Sequence, residues 1–288
     1  MKKTYFTTPM LMLAFLLYGS LVSCADDLGF KVDGIYYEIN DDMTTVSVAQ
    51  DLSNQVDYSG DLNIPATVSQ KGKEYAVSSI KDGAFEDCSG LTSVIIPNSV
   101  TAIGDMAFHG CSGLTSISIP NSVTAIGLGA FSGCSALTSI TIPNSVTEIG
   151  KIAFFDCKGL TSVTIPNSVT AIGPAVFKCC TNLTEITVED GNAKYDSRDG
   201  CNAIIETATN TLIAGCKNSV IPNSVTAIGE SAFNGCEGLT SVTIPNTVTS
   251  IGKLAFLGCK GLTNVTVPNT VTSIAEDAFD ENTKVTRK

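Results

Sequence analysis

The amino-acid sequence predicts an α/β solenoid, a right-handed superhelix of short strands in a parallel β-sheet and short helical turns, with an N-terminal β cap. Two observations predict the solenoid. The chain repeats itself at a fixed interval over most of its length, and each repeat carries apolar residues that one unit cannot bury alone. A third observation predicts the cap, because residues 25 to about 60 lack the repeat.

Proline and phenylalanine mark the repeat most clearly, since each recurs every 23 residues, as from Pro97 to Pro120. The recurring residues are Pro97, Pro120, Pro143, Pro166, Pro222, Pro245 and Pro268, together with Phe85, Phe108, Phe131, Phe154, Phe177, Phe233, Phe256 and Phe279. Chance could give one such match, but it does not give a whole register. Residues 61–288 are therefore predicted to form the solenoid.

One repeat shows why the units must stack. Leu160, Val163 and Ile165 share one side of a predicted strand, and the Thr and Ser residues between them face outward. Pro166 ends the strand because it has no N–H to donate. Gly173 permits a sharp corner, after which an Ala–Phe pair is predicted to lie on a short helical turn. Stacked units bury a continuous core, with about 4.8 Å between equivalent strands.

The complete motif reads Leu-x-x-Ile/Val-x-Ile-Pro, then Asn-Ser/Thr-Val-Thr-x-Ile-Gly, then x-x-Ala-Phe-x-x-Cys. It closely resembles the BspA-like leucine-rich repeats of bacterial surface lipoproteins, over roughly residues 60–288. The resemblance implies a non-enzymatic cell-surface lipoprotein that binds a protein or a glycan in adhesion, since family members are associated with host matrix proteins or other cells. A structural spacer or a subunit of an envelope complex is the alternative.

The N-terminal segment predicts export and lipid anchoring. Residues 1–23 have the positive start and apolar stretch of a lipoprotein signal peptide. The sequence LVSC at residues 21–24 resembles a lipobox, which implies that Cys24 is lipidated. We therefore expect a protein anchored to the membrane by lipid, in the cell envelope, on the outer membrane and facing outward. Retention on the inner membrane stays open, because Asp26 and Asp27 follow the lipobox closely.

Two segments depart from the repeat. Residues 24–60 contain VDGIYYEI and TTVSVAQ, which predict two strands of the β cap. At about residues 183–215 an insertion contains NAIIE and TLIAG, which predict a β-hairpin projecting from the edge of the solenoid.

The register of this hairpin decides which cysteines could pair. With the turn centred on residues 208–209, the predicted cross-strand pairs are Ile205 with Leu212, Ile204 with Ile213 and Cys201 with Cys216. Cys201 and Cys216 are therefore the candidate disulfide of an oxidising compartment. Two apolar thiols in contact are the alternative.

Most of the other cysteines share one repeat position. They are Cys88, Cys111, Cys134, Cys157, Cys180, Cys236 and Cys259. One thiol per repeat does not bring together the four ligands of a tetrahedral metal site. Packing as small apolar side chains is favoured, with stacked disulfides as an alternative. We expect no metal and no cofactor.

Charge and histidine content argue against two further classes of function. The formal net charge of −11 disfavours nucleic acid, which basic residues bind by neutralising phosphates. His109 is the only histidine, so a Ser–His or Cys–His nucleophile has no other base. The sequence therefore predicts no enzyme. Asp190, Asp196 and Asp199 are read as part of a polar loop, with calcium binding as the alternative.

The outward side chains indicate where a partner would bind. The strands expose Thr and Ser, a neutral surface without the Trp, Tyr or Arg residues that usually anchor protein interfaces. More distinctive side chains lie on the edge made by the predicted helical turns. The candidate contact patch comprises Met106, Leu128, Ile152, Phe155, Leu254 and Leu257. The chain itself is expected to be a monomer.

Overall fold

The computed structural model describes residues 29–51 and 57–288. The predicted signal peptide at residues 1–23 and the predicted lipidation site Cys24 lie outside the described residues. Strands below are numbered in chain order.

An antiparallel meander opens the described chain. It consists of β1 (Gly29–Val32), β2 (Ile35–Ile39) and β3 (Thr45–Val48). VDGIYYEI is therefore not one strand, because Asp33 and Gly34 have positive φ angles and form a turn between β1 and β2. Next come β4 (Gly60–Asn63), β5 (Thr67–Gln70) and β6 (Lys73–Ile80). β6 pairs antiparallel with β5 and parallel with β3, which joins the meander to the repeats.

The repeats contribute strands on two faces. The first face carries β7 (Leu91–Ile95), β9 (Ser116–Ser118), β12 (Ser162–Ile165), β14 (Glu185–Val188), β20 (Asn264–Val267) and β22 (Lys284–Arg287). The second face carries β8 (Ala102–Ile103), β10 (Ala125–Ile126), β11 (Glu148–Ile149), β13 (Ala171–Ile172), β18 (Ala227–Ile228), β19 (Ser250–Ile251) and β21 (Ser273–Ile274). Strands of neighbouring repeats pair in parallel, so β12 lies beside β14 and β10 beside β11. The predicted parallel stacking is thus present.

The third face consists of turns, so the prediction of short helical turns is wrong. In the described residues the only helix is a short 3₁₀ segment, Arg198–Gly200. The Ala107–Phe108 pair lies between Met106 and Gly110, whose φ angles of 53° and 71° interrupt a right-handed helix. The N–H of Phe108 donates to the carbonyl oxygen of Ala130 in the next repeat, at 2.8 Å. The third face is therefore also bonded from repeat to repeat.

A column of stacked phenylalanine rings runs through the core before the insertion, and a second column runs through the core after it. Phe108, Phe131 and Phe154 are fully buried, and their ring centroids are 5.5 and 5.6 Å apart with nearly parallel planes. The repeat cysteines lie beside this column. The thiol of Cys134 donates to the carbonyl oxygen of Phe108 at 3.3 Å, and Cys157 repeats this contact with Phe131 at 3.1 Å. These cysteines therefore serve as small core residues with a polar contact to the preceding repeat.

The insertion is a buried layer of the stack, which corrects the predicted projecting hairpin. It contains β15 (Tyr195–Asp196), β16 (Ala203–Glu206) and β17 (Thr211–Gly215). β16 and β17 form an antiparallel pair, and β17 continues in parallel to β18. Ile204 packs into the core before the insertion, whereas Ala203 and Ile205 pack into the core after it. The hairpin thus presents apolar residues on both faces, and no exposed edge could bury both.

The loop before this hairpin forms hydrogen bonds with backbone groups at the end of the first set of repeats, which is the set that precedes the insertion. The side-chain amide of Asn192 donates to the carbonyl oxygens of Pro166 and Val169, each at 2.9 Å. The hydroxyl of Tyr195 accepts the N–H of Ile172 at 3.1 Å. At the end of the second set, Arg287 donates to the carbonyl oxygen of Val271 at 2.6 Å. Each set of repeats is therefore closed by side chains outside the repeat pattern.

Candidate binding surfaces

One edge of the third face places apolar side chains on strained backbone. The residue two before each repeat phenylalanine has positive φ in most repeats, at Gly83, Met106, Gly129, Ile152, Ala175, Ser231 and Leu254. Glycine adopts this conformation without cost, whereas a β-branched residue such as Ile152 at φ 50° is an outlier. Strain of this kind costs about 1–3 kcal/mol per residue. At Met106, Ile152 and Leu254 a large apolar side chain is therefore kept against the backbone preference.

The structure brings part of the predicted contact patch together. A Cβ atom on Gly129 would lie 3.6 Å from Cγ of Met106 and 3.8 Å from Cδ1 of Ile152, so these two side chains converge over the glycine. Met106 is 37% exposed, and Leu128, Ile152 and Phe155 are half-buried. The ammonium group of Lys178 lies 5.5 Å from the ring centre of Phe155. Met106, Leu128, Ile152 and Phe155 together form an apolar surface across neighbouring repeats, which we call the turn-edge patch.

Leu254 and Leu257, the other predicted patch residues, lie beyond the insertion. Both are half-buried on the third face of the second set of repeats. The repeats that end at Cys180 and Cys236 separate them along the chain from Phe155. We therefore treat them as a second apolar area and keep the name turn-edge patch for Met106, Leu128, Ile152 and Phe155.

The hydroxyl-rich first face is partly committed to stacking. The hydroxyl of Thr115 donates to the carbonyl oxygen of Thr92 at 3.0 Å, and Thr184 repeats this contact with Thr161 at 3.0 Å. In the described structure no hydrogen bond is formed by the exposed hydroxyl of Thr141 or that of Thr164. These hydroxyls are open to a ligand.

The candidate disulfide residues lie on opposite sides of the inserted layer. A register shift between Ile204 and Ile205 places Ile204 opposite Ala214, although Ile205 still pairs with Leu212. Because adjacent residues of a strand face opposite sides, this one-residue shift turns Cys216 away from Cys201. The expected register, and with it the Cys201–Cys216 disulfide, is therefore wrong for this structure.

The thiols of the repeat position, of Cys201 and of Cys216 are buried, whereas Cys179 is half-buried. Cys201 and Cys216 are free thiols, and Cys216 donates to the carbonyl oxygen of Asn202 at 3.4 Å. Burial raises the pKa of the Cys111 thiol to about 12 and the pKa of the Cys157 thiol well above its usual value. A thiol with a raised pKa is a poor nucleophile and a poor metal ligand at neutral pH.

The remaining candidate residues form no catalytic or metal constellation in the described residues. His109 is half-buried, and its Nδ1 atom has no hydrogen-bond partner among those residues. Asp196 is paired with Arg198, whose guanidinium lies 2.6 Å from the carboxylate. Within residues 29–51 and 57–288 no group of three His, Cys, Asp or Glu residues could hold a metal ion. The same residues contain no helix with the length and apolar character to cross a membrane.

Parallel strands repeated every 23 residues around a buried Leu, Ile and Phe core define a leucine-rich-repeat protein. A model of the BspA-type leucine-rich-repeat region matches residues 78–199 and 211–287, in six copies. The chain belongs to this family, which confirms the resemblance seen in the repeat motif.

Solved structures agree with this assignment. A leucine-rich repeat protein of Bacteroides ovatus is 29% identical, with a TM-score of 0.65, over 90% of this chain and 67% of that one. A leucine-rich cell surface protein of Faecalibacterium prausnitzii is 28% identical, with a TM-score of 0.57, over 87% and 85%. The pneumococcal vaccine antigen PcpA, 20% identical with a TM-score of 0.56 over 90% and 88%, supports the fold alone. A comparison with curated proteins finds no match.

Proposed function

We propose that this chain is a non-enzymatic lipoprotein that acts in adhesion at the cell surface by binding a partner through the turn-edge patch. The observation that carries the proposal is the strain at Met106 and Ile152. Repeats that carry glycine at this position show that the fold does not need a side chain there. Strained residues retained against backbone preference are typical of functional positions. Aliphatic and aromatic side chains favour a protein partner at this patch, and a glycan is the other ligand class implied by the family.

The proposal includes the location and the ends of the solenoid. Cys24 would carry the lipid anchor on an outward-facing outer-membrane protein. We propose right-handed winding, the general rule for parallel strands joined by crossovers, and we propose that the β1–β3 meander is the N-terminal cap. Tyr58 supports the cap by linking the meander to the repeats. Its hydroxyl accepts the N–H of Tyr36 in β2 at 3.2 Å, and its ring lies edge-on to Phe85 with 5.1 Å between centroids.

We expect protease added to intact cells of the producing bacterium to digest the full-length protein. Digestion is expected because an adhesin must be accessible from outside. The measurement is an immunoblot, with a periplasmic protein as the control for cell integrity. The Cys24→Ala variant should lose fatty-acid labelling and leave the membrane fraction, since one residue carries the anchor. Complete protection of the protein in intact cells, together with its co-purification with other envelope proteins, would instead support the structural spacer or envelope subunit.

Replacing the strained residues Met106 and Ile152 should weaken adhesion without destabilising the fold. In the Met106→Ser/Ile152→Gly double variant, loss of two apolar anchors should raise the Kd for a bound matrix protein by about tenfold or more. The unfolding midpoint should stay unchanged or rise, because glycine relieves strain at residue 152. Binding is measured on immobilised fibronectin, laminin and collagen.

The matched control is Ile95→Ser/Val220→Ser, which removes exposed apolar side chains from the first face. Ile95 is 54% exposed and Val220 66% exposed. Equal loss of adhesion in both double variants would show a general effect of surface hydrophobicity. That result, or unchanged adhesion after the Met106 and Ile152 substitutions, contradicts a binding role for the turn-edge patch.

A further inference from the structure

Glu189 belongs to the insertion, yet its side chain reaches back over the first face of the earlier repeats. It lines a depression together with Asn121, Thr141, Pro143 and Asn144. A second, adjoining depression is lined by Glu189, Thr141, Ser162, Thr164 and Pro166. The two depressions meet at the carboxylate of Glu189 and therefore form one shallow groove that crosses several repeats.

The carboxylate of Glu189 is held in place and keeps an open oxygen. Its Oε2 atom accepts the backbone N–H of Asn167 at 3.1 Å, while its own N–H donates to the carbonyl oxygen of Ile165 at 2.9 Å. In the described structure the Oε1 atom accepts no hydrogen bond. A fixed carboxylate with one open oxygen can accept hydrogen bonds from a ligand without first being ordered.

The asparagine carboxamides of the groove are also uncommitted. Asn121 and Asn144 are exposed, and in the described structure their side chains form no hydrogen bond. The neighbouring hydroxyl of Ser145, by contrast, donates to the carbonyl oxygen of Val123 at 2.6 Å. Neither asparagine has a positive φ angle. The turn that contains Asn121 is closed by a backbone hydrogen bond from the N–H of Val123 to the carbonyl oxygen of Pro120. No hydrogen bond of the described structure therefore depends on either carboxamide, and both can contact a ligand.

We propose that this groove binds a neutral carbohydrate chain. Carboxamides and hydroxyls donate and accept, as sugar hydroxyls do, and a carboxylate accepts from them. Pro143 and Pro166 are buried in the floor of the groove, so hydrogen bonds from the exposed side chains would carry the recognition. No Lys or Arg lines either depression, so anionic glycans would meet only negative charge. This site is separate from the turn-edge patch, so either binding activity can fail without the other.

The test titrates the full-length purified protein, in detergent, with cellohexaose, maltohexaose, mannohexaose and xylohexaose, each up to about 5 mM. We expect at least one to bind. Glu189→Gln should then raise its Kd about tenfold, because a hydrogen bond to a charged group is stronger than a neutral one. The glutamine carbonyl oxygen can still accept the N–H of Asn167, so the loop should stay in place. Asn144→Ala should weaken binding severalfold.

Asn218→Ala is the matched control, because Asn218 is exposed and lines neither depression. It should leave the Kd unchanged, and all three variants should keep the wild-type unfolding midpoint. The proposal is overturned if none of the neutral oligosaccharides binds, if Glu189→Gln and Asn144→Ala bind as wild type does, or if a heparin hexasaccharide binds better than the neutral sugars. Loss of matrix-protein adhesion in Glu189→Gln without any sugar binding would also overturn it and would assign the groove to a protein.

Discussion

Phe131→Ala is expected to lower the free energy of unfolding by about 3–5 kcal/mol. The Phe131 ring is fully buried and stacks on both sides, with centroids 5.5 Å from Phe108 and 5.6 Å from Phe154. The substitution leaves a cavity and removes two aromatic contacts, each worth about 0.5–1.5 kcal/mol beyond burial. Stability of a repeat protein depends on contacts between neighbours, so the column loses both interfaces of one layer. Urea unfolding followed by circular dichroism measures the change.

The control for this variant is Phe279→Ala in the last repeat. Phe279 is half-buried and stacks on one neighbour, Phe256, at 5.1 Å. Its loss should cost roughly half as much as the loss of Phe131, because one contact and less buried area are removed. An equal cost at both positions would show that the ring column does not determine how much each layer contributes to stability.

The sequence predicts the inward-facing residues of this fold better than it predicts the backbone between them. Burial of Leu160, Phe131 and Cys134 follows from the repeat period, since stacking hides the same positions in every layer. The prediction of helical turns was wrong because Met106 and Ile152 adopt positive φ angles without the Gly, Asn or Asp that usually signals them in a sequence.

Two errors had signals in the sequence that could have prevented them. Asp33-Gly34 is a typical hairpin turn, and the structure has a turn there. The stretch NAIIE places apolar residues on both faces of a strand, which is typical of a buried strand rather than a projecting hairpin. The bulge that moves Cys216 away from Cys201 had no such signal, because it depends on how β17 joins the next repeat.

The candidate binding surfaces were predicted in part. The period alone placed Met106 and Ile152 on one edge, but their convergence over Gly129 depends on backbone angles that the sequence does not show. Glu189 was not identified, because it lies in the insertion and belongs to no motif. Its role depends on tertiary structure, since the inserted layer sets where its side chain reaches the earlier repeats.

Gly150→Ala should destabilise the protein by about 3 kcal/mol, the upper end of the usual cost of overpacking. An added Cβ would lie 2.6 Å from the carbonyl carbon of Gly127 and 2.6 Å from the backbone nitrogen of Leu128. Both are backbone atoms in the corner of the preceding layer. That corner is hydrogen-bonded to the layer of Gly150, because the N–H of Gly150 donates to the carbonyl oxygen of Ile126 at 2.8 Å. Neither the backbone at residue 150 nor the backbone of Gly127 and Leu128 can move without separating two stacked layers. The loss is measured by the same urea unfolding.

The natural sequence supplies the control, because the last repeat carries Ala275 at this corner. The N–H of Ala275 makes the same bond, to the carbonyl oxygen of Ile251 at 3.0 Å. A terminal layer can shift outward to accommodate a methyl group, since stacked repeats hold it from one side only, whereas Gly150 is held from both sides. Ala275→Gly should therefore change stability by less than about 1 kcal/mol. If Gly150→Ala were equally mild, the close corner contact would not limit the layer spacing, and the glycine would serve only the local turn.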